Sequence, residues 1–187
     1  MKYLKNRKFA VLIVAAVIVL STLFGVHKSL SKEVRRVEAM FYEGVPQKGP
    51  SGGIEPKTGA QLEAVQEAIL GIWTISGNYP ELDAETKQLQ SSRNEYMDAR
   101  SISEKSGAYD KMISAYAAFG KRANMVNISE TDEANIEKCD SKIEIAQSLI
   151  GKGRYNEEVL RYIDEVASAF PVGILKRLAF VRDPQLF

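Results

Sequence analysis

The sequence predicts an all-α protein in which an N-terminal transmembrane helix is followed by an antiparallel helical bundle. Three observations support this fold class: an uncharged apolar run over residues 9–26, apolar side chains that recur every three or four residues along most of the remaining chain, and the absence of proline between Glu81 and Phe170. Apolar residues at that spacing share one face of a helix, and proline is disfavoured inside helices. No segment shows the two-residue alternation that is typical of a half-buried strand.

The length fits one domain, or one domain plus an anchor, and the composition is that of an ordinary globular protein. Of the 187 residues, 45% are hydrophobic and 26% are charged, which is the usage of folded domains. The 25 basic and 24 acidic residues leave a net charge of +1, and this balance argues against a nucleic-acid-binding protein. A single Cys excludes an internal disulfide, and a single His excludes a site of paired imidazoles.

The N-terminus joins a basic tail, residues 1–8, to the apolar run of residues 9–26. A helix over the run is about 27 Å long, close to the thickness of a bilayer's hydrocarbon core. The basic tail fits either a cleaved signal peptide or an uncleaved anchor. The segment from Leu23 to His27 lacks the two closely spaced small residues of a cleavage site, and the run is longer than the apolar region of most signal peptides. We therefore expect an uncleaved signal-anchor.

Basic residues flank the run on both sides. Lys28, Lys32, Arg35 and Arg36 follow it and nearly balance the four basic residues of the tail, so the positive-inside rule alone gives little preference. Since a short basic tail stays inside more readily than a large domain, we expect a single-pass protein of the cell membrane. Its N-terminus would lie in the cytoplasm and its bundle outside.

Residues 27–45 are predicted to continue the anchor as an emergent helix, and residues 46–59 to interrupt it. The face of the emergent helix is formed by Leu30, Val34, Val37, Phe41 and Val45. This spacing predicts a helix that extends to about Tyr42. Half of the residues in 46–59 are proline or glycine, which is typical of a flexible linker. A phosphate-binding loop is excluded there because no Gly-Lys-Ser/Thr ends the segment.

Residues 60–187 are predicted to form the bundle. Successive helices show the apolar stripes Leu62-Val65-Ile69-Ile72-Ser76, Leu82-Leu89-Tyr96, Tyr109-Met112-Tyr116-Phe119-Ala123, Ile136-Cys139-Ile143-Ala146-Ile150 and Tyr155-Val159-Tyr162-Val166-Phe170. The fourth of these stripes is close to the heptad of a coiled coil, and we expect its three isoleucines and Cys139 to be buried. Ser129 is the predicted N-cap of that helix. Pro171 is expected to end the last one.

The tail after Pro171 combines apolar and basic residues, and two placements are open. Val172, Leu175, Leu178 and Ala179 can form one side of a short helix. The tail can cap the bundle, or it can lie on an anionic membrane surface. Since its apolar residues do not keep to one face, we expect the tail to pack on the bundle.

Residues capable of chemistry are few, and each has a structural explanation. We expect His27 to lie at the membrane boundary and Cys139 to pack in the core. Four acidic residues, Glu133, Glu137, Asp140 and Glu144, recur at helical spacing and suggest a solvated face. Lysines interleave with them and would repel a cation. Asn127-Ile128-Ser129 matches a glycosylation acceptor. No catalytic, cofactor-binding or metal-binding residue is therefore predicted, and we expect a protein that is not an enzyme and uses no cofactor.

Short motifs in the last third of the chain resemble the LemA family. They are Tyr155-Asn156, then Val159 and Tyr162, then Phe170-Pro171 before an apolar tail, and Tyr79-Pro80-Glu81-Leu82 is similar to another motif of that family. LemA-like proteins are bacterial, membrane-anchored helical bundles, so the resemblance implies that the bundle lies outside the membrane. It supplies no catalytic residue.

These observations together predict a non-enzymatic scaffold or interaction protein of the bacterial cell envelope. Its partners would be the membrane and another envelope protein, with a homo-oligomer possible and nucleic acid excluded. The alternative is a sensor-type module that binds a small ligand between its helices and acts through a partner. A cavity with convergent polar groups would favour the sensor, whereas a solid core with an exposed apolar surface would favour the scaffold.

Overall fold

The computed structural model describes residues 7–46 and 53–187, and within these ranges the regular elements are helices and helical turns. In chain order they are α1 (Arg7–Glu43), α2 (Thr58–Ser76), a 3-10 turn (Pro80–Leu82), α3 (Asp83–Asp98), α4 (Ile102–Ala123), α5 (Glu130–Lys152), α6 (Tyr155–Tyr162), a π-helical turn (Ile163–Ala167) and α7 (Val172–Leu178). The predicted all-α fold with one long apolar N-terminal helix is confirmed.

The described residues group into two compact units. The first contains residues 7–38 and 157–184, and the second contains residues 39–156 and 185–187. Residues 157–184, which the sequence analysis included in the bundle, thus group with the first part of α1. The last three residues return to the second unit.

The second unit is built around helices α2 to α5. Helix α2 packs against α5 and α3, and α3 packs against α4. Since residues 99–101 alone join α3 to α4, these two helices form an antiparallel hairpin. One buried cluster fills the unit, and its members are Val65, Ala68, Ile69, Ile72, Leu82, Leu89, Met112, Ala115, Phe119, Ile143 and Ala146. The predicted stripes of α2 and α3 are buried throughout.

Side chains define where α4 and α5 begin. The Ser101 hydroxyl accepts a hydrogen bond from the Glu104 N–H, and the Glu104 carboxylate accepts one from the Ser101 N–H. This reciprocal pair is a capping box, and the backbone donors lower the pKa of the Glu104 carboxyl. At α5 the Ser129 hydroxyl accepts from the Asp132 N–H at 3.2 Å, which confirms the predicted N-cap.

The predicted apolar stripe of α5, which is close to a heptad seam, is only partly buried. Ile143 and Ala146 are fully buried, but Ile136, Cys139 and Ile150 are half-buried, so the expectation of four buried side chains was wrong. A heptad seam is covered along its length only where a partner helix presents side chains to every layer. The Cys139 thiol lies against Gly71 of α2, so closely that a Cβ at Gly71 would be 2.9 Å from Sγ.

The last predicted stripe is interrupted by the π-helical turn. Tyr155, Val159 and Tyr162 are buried as expected. The Ser168 N–H then donates to the Ile163 carbonyl oxygen, five residues back, at 2.9 Å. The extra residue rotates the following side chains by about 100° relative to an α-helix. The helix ends at Ala167, so Phe170 lies beyond it and is 86% exposed instead of buried. Pro171 is the N-cap residue of α7, which begins at Val172.

The described part of the predicted linker is bound to the end of α1. Residues 47–52 lie outside the described ranges. The Glu55 N–H donates to the Val45 carbonyl oxygen at 3.1 Å, and Arg154 pairs with the Glu55 carboxylate at 2.6 Å. Gly44 makes the turn with φ +88°, and a Cβ there would lie 2.5 Å from the Glu55 carbonyl oxygen. Helix α2 begins at Thr58, two residues before the predicted start.

Candidate functional site

Helix α1 has an apolar surface over residues 9–26 whose large side chains are exposed, except for Leu23 and Val26 near its end, and we call it the bare apolar surface. Large side chains are exposed around its whole circumference, from Val11 and Leu12 to Phe24, which is 71% exposed. The segment is long and apolar enough to cross a membrane. A helix that is apolar on every side and uncovered by protein has the surface expected of a membrane span.

Other residues of the protein begin to pack against α1 near the end of the apolar run. Leu23, Val26 and Leu30 are half-buried, and Val34 and Val37 are fully buried. These positions are three or four residues apart and therefore lie on one face. The boundary that the sequence predicted for the anchor thus coincides with the point at which other protein begins to pack against the helix.

His27, just beyond the bare apolar surface, forms a hydrogen bond with the tail. Its Nδ1 lies 2.8 Å from the carbonyl oxygen of Ala179, and because a carbonyl oxygen only accepts, Nδ1 carries the proton. Further along α1, both guanidinium NH2 groups of Arg182 donate to the Glu38 carboxylate, at 2.6 and 2.7 Å. The tail is therefore bound to α1 at two positions, His27 and Glu38. His27 is the first residue beyond the apolar run.

Four large apolar side chains in the tail and immediately before it are exposed, and we call them the tail patch: Phe170, Ile174, Leu178 and Phe180. Their exposed fractions are 86%, 55%, 56% and 90%. Ile174 and Leu178 lie one helical turn apart on α7. The stripe prediction was wrong for Phe170. Among the residues after Pro171, Ala179 and Val181 are buried, but Ile174, Leu178 and Phe180 are exposed.

Phe180 has a strained backbone. Its φ is +54°, a left-handed conformation that is uncommon for a bulky residue. Its N–H donates to the Arg177 carbonyl oxygen, and the next N–H, of Val181, donates to the Lys176 carbonyl oxygen. This pair of bonds is the Schellman ending of a helix, in which glycine usually stands at the left-handed position. Here the position carries an exposed aromatic ring.

A cleft of about 490 Å³ lies between the π-helical turn and α7. Phe170, Ile174 and Val181 contribute apolar surface to its lining, and Lys176, Arg177 and Asp183 contribute charge. Lys176 is buried and pairs with Asp183, whereas the side chain of Arg177 is exposed. The cleft is therefore continuous with the tail patch and has a cation at its edge.

The acidic face of α5 is largely solvated, as predicted. Glu133, Glu137 and Glu144 are exposed, but Asp140 is half-buried and accepts a hydrogen bond from the Tyr116 hydroxyl at 2.7 Å. Burial raises the pKa of the Asp140 carboxyl, and the Tyr116 hydrogen bond only partly opposes that shift. Among residues 7–46 and 53–187, no group of three or more His, Cys, Asp or Glu side chains is arranged to hold a metal ion.

Cys139 and Ser129 have structural contacts. Cys139 is half-buried, and burial raises the pKa of its thiol, which disfavours the reactive thiolate. The Ser129 hydroxyl caps α5, and its N–H donates to the Tyr79 hydroxyl at 3.0 Å. That hydroxyl in turn donates to the Asp132 carboxylate at 2.7 Å.

The Tyr155-Asn156 pair holds the end of the chain. The Tyr155 hydroxyl donates to the Gln185 carbonyl oxygen at 2.7 Å, and the Asn156 side chain pairs with the backbone of Phe187. The Phe187 ring packs 5.5 Å from Phe41 and 5.6 Å from Tyr109, measured between ring centroids. The expectation that the tail packs on the bundle is therefore confirmed for its last residues.

Comparison with known proteins found no matching family model, no matching curated protein and no matching solved structure. The resemblance to the LemA family stays a prediction. Of the features above, sequence reasoning missed the tail patch and the binding of the chain end. The four-residue spacing of Phe170, Ile174 and Leu178 was the available signal for the patch.

Proposed function

We propose that this protein is a non-enzymatic helical bundle, anchored in the bacterial cell membrane by α1, that serves as a scaffold or interaction protein of the cell envelope. A divergent relationship to the LemA family would be consistent with this role. The single observation that supports it best is the bare apolar surface of residues 9–26, since exposing that much apolar area to water is strongly unfavourable.

The packed core of the second unit favours a scaffold over a ligand-binding module. Its eleven-residue cluster has exposed fractions of 0–3%, so apolar side chains fill the space between α2, α3, α4 and α5. A small-molecule site would instead place a few polar groups around a cavity. The sensor-type module remains the alternative, supported by the cleft beside α7 with its charged and apolar lining.

Membrane fractionation tests the anchor. The wild-type protein should remain in membranes after an alkaline carbonate wash. Val14→Lys combined with Ile18→Lys should release it, because each Lys at the centre of a span costs about 3 kcal/mol on the insertion scale. Val14→Leu combined with Ile18→Leu is the matched control and should stay bound. Extraction of the wild-type protein would contradict the anchor.

Cysteine labelling tests the orientation. Met125 is 76% exposed in the second unit, so Met125→Cys in a Cys139→Ser background offers one accessible thiol. A membrane-impermeant maleimide should label it in intact spheroplasts. The matched variant Lys5→Cys, in the basic tail, should be labelled only after lysis. The reverse pattern would place the bundle in the cytoplasm and remove the envelope role.

Cross-linking and thermal shift separate the two functions. A scaffold predicts that a partner protein, or a second copy of the chain, is recovered after cross-linking in cells through Met125→Cys. A sensor predicts that a small ligand raises the Tm of the purified protein, and that substitution of Arg177 at the edge of the cleft removes the shift. Ligand stabilisation without any cross-linked protein would favour the sensor.

A further inference from the structure

We infer that the tail patch docks on the lipid bilayer in which α1 is anchored, so that the protein has a second, interfacial contact with the same membrane. This inference rests on the proposed anchoring of α1. The occupant of the patch is the interfacial region of the bilayer leaflet from which α1 emerges. The patch lies in the same compact unit as the first part of α1.

The height of the patch along α1 supports this placement. The contact between His27 and the Ala179 carbonyl oxygen joins the first residue after the apolar run to the segment between Leu178 and Phe180. Leu178 and Phe180, two side chains of the patch, therefore flank the Ala179 carbonyl group, which His27 binds at the end of the apolar run. The half-burial of Leu23 and Val26 shows that protein packs on α1 down to the last turn of the run.

The chemistry of the patch suits an interface. Large apolar side chains beside exposed cations are the composition of segments that lie at the headgroup boundary. Arg177 is exposed on α7, and Lys28 and Lys32 are exposed on the first turns of α1 beyond the run. These cations are complementary to anionic headgroups.

The backbone at Phe180 supports the same conclusion. A bulky residue in the left-handed region is unfavourable by itself, and such outliers persist where the surrounding structure imposes them and are concentrated at functional sites. The conformation leaves the ring 90% exposed, whereas glycine would give the same helix ending without the ring. A bilayer surface is the environment that covers an aromatic side chain at this height.

Depth-dependent fluorescence quenching tests the docking on the full-length chain in vesicles of phosphatidylglycerol and phosphatidylcholine. The sequence has one Trp, Trp73, so a Trp73→Phe background carries a single reporter at a chosen position. Phe180→Trp reports on the patch, and Phe24→Trp reports on the anchor. Tyr42→Trp, on an exposed position about 24 Å further along the helix than Val26, is the solvent control.

Docking predicts that the Trp at 180 loses most of its fluorescence to lipids labelled near the headgroup and little to lipids labelled near the chain end. The Trp at 24 should be quenched by the deep label, and the Trp at 42 by neither. Combining Ile174→Ser with Leu178→Ser should restore the fluorescence at 180. The control Leu160→Ser, at an apolar side chain of the same unit that is 50% exposed, should not.

The outcomes separate the two proposals. Quenching at 24 without quenching at 180 overturns the docking and leaves the anchor intact. Quenching at neither position overturns both. A blue-shifted spectrum at 180 that no lipid label quenches would mean that protein, such as a second copy of the chain, covers the patch, and this also overturns the docking.

Discussion

The side chain of Asn156 and the backbone of Phe187 are hydrogen-bonded to each other twice. Asn156 Nδ2 donates to the Phe187 carbonyl oxygen at 2.5 Å, and the Phe187 N–H donates to Asn156 Oδ1 at 2.9 Å. The amide side chain thus pairs with the backbone N–H and the carbonyl oxygen of the same residue, as a residue of a neighbouring antiparallel strand would. The last residue of the chain is thereby fixed to the start of α6, with its ring against Phe41 and Tyr109.

Asn156→Ala should destabilise the second unit by about 1–3 kcal/mol, because it leaves a half-buried donor and acceptor without partners. Urea unfolding of the full-length protein in detergent micelles, followed by Trp73 fluorescence, measures the loss. Asn94→Ala, at an exposed position of α3, is the matched control and should change the free energy of unfolding little. Equal losses from both variants would show that the hydrogen bonds at the chain end contribute nothing specific.

The two faces of α5 should respond differently to truncation. Ile143 is fully buried and Ile145 is 62% exposed. Ile143→Ala should cost about 2–5 kcal/mol, since it opens a cavity in the core. Ile145→Ala should stay within about 0.5 kcal/mol of wild type. Thermal melts monitored by circular dichroism compare the pair, and similar losses would mean that the buried face of α5 is assigned wrongly.

Gly71 should not tolerate a side chain while Cys139 is present. A Cβ at Gly71 would lie 2.9 Å from Cys139 Sγ, so Gly71→Ala should cost about 1–2 kcal/mol by overpacking. At Gly120 of α4 a Cβ meets no atom within 4 Å. Gly120→Ala should therefore stabilise the protein by about 0.5–1 kcal/mol through helix propensity.

A double-mutant cycle shows whether the Gly71 effect passes through the thiol. In a Cys139→Ala background the atom that clashes is gone, so Gly71→Ala should lose most of its cost. Chemical denaturation of the four proteins of the cycle gives the coupling energy. A cost that is unchanged in the Cys139→Ala background would mean that the backbones of α2 and α5, rather than the thiol, limit the space.

Asp140 should make stability depend on pH. Burial raises the pKa of its carboxyl in the folded protein, so the folded state holds the proton more tightly than the unfolded state. Stability should fall as the pH rises from below the ordinary Asp pKa to above the raised value. Asp140→Asn, which cannot ionise, should lack this component. The Tm of wild type relative to Asp140→Asn should thus decrease between acidic and neutral pH, whereas Glu133→Gln, at an exposed site, should follow wild type.

The helices and most of their buried faces were predictable because local spacing determines them. The stripes of α2 and α3 recur at three or four residues without interruption, and each such face needs a partner in any compact fold. The long apolar N-terminal helix was predictable for the same reason: eighteen uncharged residues in a row are long and apolar enough for a helix that crosses a membrane. Ser129 was identifiable from residue type and from the acidic residues that follow it.

The remaining features depend on contacts that are distant in sequence. The π-helical turn after Tyr162 carries no residue that marks it, yet the helix ends there at Ala167, which leaves Phe170 beyond the helix and on the surface. Which residues of the apolar stripe of α5 are buried depends on the helices that pack beside it: Ile143 and Ala146 join the core cluster, whereas Ile136 and Ile150 stay half-buried. The placement of the tail depends on two distant hydrogen bonds. Ala179 pairs with His27, 152 residues away, and Phe187 pairs with Asn156, 31 residues away.

Phe180 offers a test of backbone strain that is independent of the aromatic ring. Its backbone has φ +54°, so Phe180→Gly should relieve strain and raise the free energy of unfolding by about 0.5–1 kcal/mol. Phe180→Ala removes the same ring but keeps the Cβ, and it should give no such gain. Chemical denaturation in one detergent compares the two variants, and because both lack the ring, their difference isolates the backbone effect. An Ala variant as stable as the Gly variant would show that the left-handed conformation is not retained at this position.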